Sequence, residues 1–112
     1  MPSEPMLAHN VYWSLKDNSP AARKKLIEEC KKYLAPHPGI VSFTVGTLAE
    51  AQNRSINDRS FDVSLNILFR TEKDHDSYQA ASPHKEFITA NNANWKQVRI
   101  FDSLVEPVGV SG

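Results

Sequence analysis

The stretch Phe61-Asp-Val-Ser-Leu-Asn-Ile-Leu-Phe69 alternates apolar and polar side chains over most of its length. Phe61, Val63, Leu65, Ile67 and Phe69 fall on one side; Asp62, Ser64 and Asn66 fall on the other. A period of two is the mark of a strand buried on one face only. The segment therefore predicts a strand whose odd side meets a core and whose even side does not. Upstream, Ile40–Gly46 repeats the pattern, with Val41, Phe43 and Val45 against Ser42 and Thr44. The connection between them, residues 47–60, is long for a hairpin and reads as a lid or a mobile loop. Near the start, His9, Val11, Trp13 and Leu15 alternate with Asn10, Tyr12, Ser14 and Lys16, a further strand. Val98–Val105 predicts the last one.

Helices separate these strands. Ser19-Pro20 supplies an N-cap and a first-turn proline. Ala22, Leu26, Ile27, Cys30, Tyr33 and Leu34 then form one apolar stripe, ended by Pro36, Pro38 and Gly39. Thr71, with Asp74 three residues on, caps a short helix to Tyr78. Ser82-Pro83 restarts a helix, as cap and first-turn proline, that runs to about Asn94.

The order is β-α-β-β-α-β, an α+β chain of ferredoxin-like arrangement with an antiparallel four-stranded sheet. Both helical stripes must cover one sheet face, which carries His9, Val11, Trp13, Phe43, Val63 and Leu65. The other face carries Tyr12, Ser14, Ser42, Thr44, Ser64 and Asn66, too polar for a dry core and suited to a second copy. The expectation is a homodimer through the sheet faces, forming a dimeric α/β barrel. Residues 8–105 form the domain, with flexible termini at 1–7 and 106–112.

The 112 residues carry 13 Lys plus Arg against 13 Asp plus Glu. Phosphate binding requires a cationic surplus, so nucleic acid is not expected as a partner, and neither is a membrane surface. The single cysteine, Cys30, cannot close a disulfide within one chain. A reducing compartment follows, and Met1–Asn10 has neither a cationic start nor an apolar core, so a cytoplasmic location is expected.

Four segments resemble the stress-responsive dimeric α/β-barrel (Dabb) family. They are H-N-V-Y-W-S-L-K from His9, H-P-G-I-V-S-F-T-V-G from His37, Y-Q-A-A-S-P-H-K-E-F from Tyr78, and W-K-Q-V-R-I-F-D from Trp95. The resemblance spans about residues 8–103 and implies the same protomer and a two-fold barrel. Within the family, the chain is similar to polyketide cyclases of the olivetolic acid cyclase type. His9 falls where these have a strand histidine in the pocket, and Tyr78 and His84 fall at the spacing of a tyrosine and a catalytic histidine. The chain departs from them at Ala81 and Ser82, where that pattern has a histidine followed by proline; here the proline is Pro83. Cofactor-free monooxygenases share the fold without these motifs.

The residues themselves allow a metal-free, cofactor-free acid–base site. His84, in the first turn of a helix, meets the positive end of the helix dipole, which disfavours the imidazolium and leaves a neutral base. Tyr78 can donate to an oxyanion or enolate, and His9 can orient a carbonyl or His84. Trp13, Phe43, Phe87, Ile88 and Trp95 are candidates to bind a small organic ligand as pocket walls. Each residue also has an ordinary reading: Tyr78 as a core tyrosine, His84 as a polar first-turn residue, His9 bonded to a backbone carbonyl. Asp74-His75-Asp76 point in different directions on a helix and form no joint metal site. His37 reads as solvated, Cys30 as a buried inert thiol, and Arg54 and Arg59 as loop residues able to close over an anion. Arg23–Lys25 and Lys31-Lys32 read as the outer face of a helix. Three functions remain in play: a small-ligand dimer with acid–base activity, a non-enzymatic stress or assembly module, and a cofactor-free monooxygenase.

Overall fold

A computed structural model describes residues 4–108. The elements are β1 (Met6–Leu15), α1 (Pro20–Tyr33), β2 (Ile40–Thr47), β3 (Val63–Phe69), α2 (Glu72–Ala80), α3 (Ser82–Asn91), a 3₁₀ turn (Asn92–Asn94) and β4 (Trp95–Val105). The sheet order is β2-β3-β1-β4, with every neighbouring pair antiparallel. The ferredoxin-like reading holds, and the helices lie on one face.

Local chemistry sets the helix ends. Ser19 Oγ accepts from the Ala22 amide at 3.2 Å, and Pro20 opens α1. Leu26 and Cys30 are buried along α1, with Leu34 continuing their i, i+4 stripe beyond its end. The chain then reverses at Gly39, whose φ of +90° suits glycine alone. There a Cβ would stand 2.4 Å from Asp74 Cγ. Thr71 Oγ1 accepts from the Asp74 amide at 3.1 Å and caps α2. Between α2 and α3, Ala81 is extended at φ −73°, ψ 147°. Pro83 enforces this break, because it lacks an N–H and its ring would collide with the carbonyl four residues back.

The covered face holds the core: Val11, Trp13, Leu65, Ile67, Phe69 and the α1 stripe are buried. The opposite face carries Asn10, Tyr12, Ser64 and Asn66, with Asn66 Nδ2 donating to Asn10 Oδ1 at 2.7 Å. Phe101 of β4, opposite Asn10, is 53 % exposed there.

Several boundaries differ from expectation. Met6 and Leu7 belong to β1, because the longer β4 pairs with them at Val105 and Leu104. Phe61 precedes β3 and packs its ring 5.0 Å from Tyr12 on the uncovered side. The β2–β3 register shifts between Ile40 and Ser42, so Ile40 joins Phe43 and Val45 against the core while Val41 is exposed. The N-cap of α3 is Ala81, without a side-chain bond, and Ser82 is already helical. The expected mobility of residues 1–3 and 109–112 lies outside the described residues. The 47–60 loop is tied down by turns: Gln52 N to Ala49 O at 3.0 Å and Asn57 N to Arg54 O at 2.9 Å. An Arg99–Asp58 ion pair of 2.8 Å anchors it to β4.

Candidate functional site

α3 presents His84, Phe87, Ile88 and Asn91 along one stripe, since residues three and four apart are neighbours on a helix. α2 presents His75, Tyr78 and Gln79 in the same way. Between α3 and the β1–β4 half of the covered face lies a cavity of about 140 Å³. Trp13, Phe87, Ile88 and Trp95 line its apolar part; His9, Tyr78, Gln79 and His84 line the rest, and among the described residues no Asp, Glu, Lys or Arg borders it. Trp13, Phe87 and Trp95 pack with centroids 5.8–6.0 Å apart. The cavity flank formed by β4 is open, because β4 is an edge strand; Ile100, on the covered side, is 54 % exposed. A larger hollow of about 390 Å³ lies on the opposite face among Asn10, Tyr12, Asp58, Phe61, Arg99 and Phe101. It is wide open and has no group suited to proton transfer near pH 7.

Tyr78 is the hub. All the histidines of the chain pack around its ring: His84 at 4.9 Å, His37 at 5.7 Å, His9 at 5.8 Å and His75 at 6.5 Å between centroids. His9 is 2 % exposed, and its Nδ1 lies 2.5 Å from Asp102 Oδ1. Facing a carboxylate, a neutral ring donates from Nδ1 and keeps Nε2 as acceptor. Burial pushes the His9 pKa down, against the opposing pull of the Asp102 hydrogen bond and charge. The His84 pKa is also lowered, chiefly by burial and further by His9 and His75. Burial raises the Tyr78 phenol well above its ordinary value. The site thus holds a neutral base, a protonated phenol and a carboxylate-oriented imidazole near pH 7. Cys30 is buried and its thiol is pushed up to about 12, so it stays a thiol.

The family model of the stress-responsive A/B barrel (Dabb) domain matches residues 7–105. The chain belongs to the Dabb family. No curated protein matches it at the level of sequence. Solved structures share the fold of this Dabb domain. A Dabb protein with a ferredoxin-like fold from Mesorhizobium loti is 19 % identical, with a TM-score of 0.74 over 95 % of this chain and 100 % of its own. The hydroxynitrile lyase of Passiflora edulis is 15 % identical, with a TM-score of 0.74 over 97 % of this chain and 100 % of its own. A dimeric ferredoxin-like protein of unknown function from Thermobifida fusca is 12 % identical, with a TM-score of 0.73 over 94 % and 95 %.

The Dabb domain brings His9, Tyr78 and His84 together with Trp13, Phe87, Ile88 and Trp95. It does not bring Phe43, which is a correction. The order β2-β3-β1-β4 sets β2 at the edge away from β4, so Phe43 packs on the core around Ile67, its pairing partner. His37 is half-buried against Tyr78 rather than solvated. Arg54 and Arg59 bond within their own loop, to Asn57 Oδ1 and Glu50 O at 2.9 Å each, and do not border the cavity.

Asp102 and His75 were not anticipated. Asp102 had a signal: it follows Val98 and Ile100 at the in-facing period of the last strand, where an acid is out of place. His75 had none in its local sequence. Asp74 turns to Thr71 Oγ1, while Asp76 Oδ1 stays 3.1 Å from His75 Nδ1 and the His75 ring is carried inward toward partners on β1 and β4.

Proposed function

We propose that this Dabb domain is a homodimer that binds a small, mostly apolar carbonyl compound beside α3 and moves a proton at it without a cofactor. The observation that carries this reading is the joint placement of Tyr78 and His84 at the polar end of an apolar cavity free of other charge. His84 takes the proton from a carbon next to the carbonyl. The Tyr78 phenol donates a hydrogen bond to the oxygen that gains negative charge. The His9–Asp102 pair presents His9 Nε2 as an acceptor, which orients a donor in the site, the N–H of His84 or a hydroxyl of the ligand. The same groups serve a lyase, in which His84 removes a hydroxyl proton as the neighbouring C–C bond breaks, the carbonyl forms, and the leaving carbon departs with the bonding pair and is protonated by the His84 imidazolium; the Passiflora edulis hydroxynitrile lyase shares this fold. A cavity of about 140 Å³ is below the ~300–1,000 Å³ of drug-sized sites, so the ligand is small.

The dimer rests on the sheet face left uncovered by helices, where Phe61, Tyr12 and Phe101 form an apolar row. The Thermobifida fusca relative of like fold is described as dimeric. This face also favours a second reading, in which assembly alone is the function.

The test incubates the protein with acetophenone in D₂O, and separately with mandelonitrile. Proton NMR follows Cα exchange and absorbance follows aldehyde release. Catalysis that His84→Gln abolishes supports the acid–base reading. Absence of both activities, with no shift of the indole Nε1–H resonances on adding either compound, removes it and leaves the assembly module.

A further inference from the structure

His9 from β1, His75 from α2 and Asp102 from β4 converge at the edge of the cavity. His9 Nδ1, His75 Nε2 and Asp102 Oδ1 all lie within 4.8 Å of one another. We propose that these three atoms form a binding site for one divalent ion of the zinc class. The proposal stands apart from the acid–base reading, because it concerns ion affinity and not turnover.

The hydrogen bonds around His75 carry the inference. Its Nδ1 lies 3.1 Å from Asp76 Oδ1, which makes Nδ1 the protonated nitrogen and Nε2 the bare lone pair. That Nε2 is buried and has no hydrogen-bond partner among the described residues. Its nearest charged neighbour is Asp102 Oδ1 at 3.9 Å, another lone-pair atom. Two electron-rich atoms therefore face each other with no proton between them, an arrangement that a cation relieves. Asp76 on the outer nitrogen is the support that ligating histidines usually have: a carboxylate that fixes the tautomer and turns the other nitrogen toward the metal.

The donor set selects the ion. Two imidazoles and one carboxylate suit Zn²⁺, Co²⁺, Ni²⁺ or Fe²⁺, whereas Ca²⁺ and Mg²⁺ take oxygen ligands. With metal–ligand bonds of ~2.0–2.1 Å, tetrahedral ligand atoms stand about 3.3 Å apart. The present separations from Asp102 Oδ1, 2.5 Å to His9 and 3.9 Å to His75, bracket that value. The Asp102 side chain is 40 % exposed, so a small rotation evens them without disturbing the core. On binding, the ion takes His9 Nδ1, whose proton moves to Nε2, and at least one coordination position stays open to water.

The test titrates the full chain with Co²⁺, reading d–d absorbance, and with Zn²⁺ in competition with a chromogenic chelator. One ion per chain is expected. His75→Ala and Asp102→Asn should each weaken binding by at least ~10-fold, while His37→Gln, outside the set, leaves it unchanged. Asp102→Asn keeps size and exposure, so it reports even if a His75 variant folds poorly. The proposal is overturned if no Co²⁺ spectrum develops at stoichiometric protein, or if Asp102→Asn binds as tightly as the parent chain.

Discussion

Replacing Tyr78 by Phe separates a structural tyrosine from a chemical one. The ring is 2 % exposed and packs on Phe69 at 5.0 Å as well as on the histidines. Its hydroxyl has no hydrogen bond to any described residue, so folding does not depend on it. Removing an unpaired hydroxyl while keeping the ring should change stability by no more than ~0.5 kcal/mol. Tyr78→Ala, by contrast, opens a hole at the hub and should cost ~3–5 kcal/mol. In catalysis the hydroxyl carries far more weight. Burial holds the phenol protonated across the whole neutral range, ready to donate to a developing oxyanion. Loss of one such donor typically lowers the rate ~10²–10³-fold, about 2.7–4 kcal/mol. One oxygen atom thus counts almost nothing in a urea melt and about 3 kcal/mol in the exchange or cleavage assay. An unfolding midpoint that drops by more than ~1 kcal/mol would mean the hydroxyl has a structural partner. Unchanged stability with unchanged turnover would remove Tyr78 from the chemistry.

Four further outcomes follow. Turnover should fall as pH drops through the His84 pKa, which burial sets below 6.5, and hold level above pH 7; a pH–rate profile measures it. Stability should follow the same direction: His9 and His84 titrate lower in the folded chain, so the unfolded chain binds more protons below about pH 6.5 and urea midpoints decline from there downward. Gly39→Ala combines a φ of +90° with a Cβ 2.4 Å from Asp74 Cγ, and should cost roughly 2–5 kcal/mol in urea unfolding. Phe101→Glu, on the uncovered sheet face, should convert a dimer to a monomer in sedimentation equilibrium while leaving protomer secondary structure intact; a parent chain that sediments as a monomer defeats the dimer itself.

The architecture was legible because its signals are local. Alternation in Val63–Phe69, the Ser19-Pro20 cap and the Pro83 break each act within a few residues, and each leads to the element observed. The errors arose where pairing decides. The β2 bulge that turns Val41 outward exists only against β3, and Phe43 misses the cavity only because β2 and β4 occupy opposite edges. The site divides in the same way. Tyr78 and His84 stand close in sequence and face each other across a helix break that Pro83 announces. Asp102 meets His9 through a register of two strands 93 residues apart in sequence, and no local pattern encodes a register.

His9 links both uses of the site, and its two nitrogens divide them. While Nδ1 donates to Asp102, Nε2 is the ring's acceptor, and the acid–base arrangement is complete. An ion on Nδ1 shifts the proton to Nε2, so the ring changes from acceptor to donor and Asp102 no longer orients it. The two states cannot coexist on one imidazole. If both proposals hold, a zinc-class ion acts as a switch on the proton-transfer site, with an effect on turnover that Asp102→Asn and His75→Ala blunt in step with their loss of affinity. An ion that binds at this site and leaves turnover untouched would show that His9 orients nothing in the reaction, and that Tyr78 and His84 suffice.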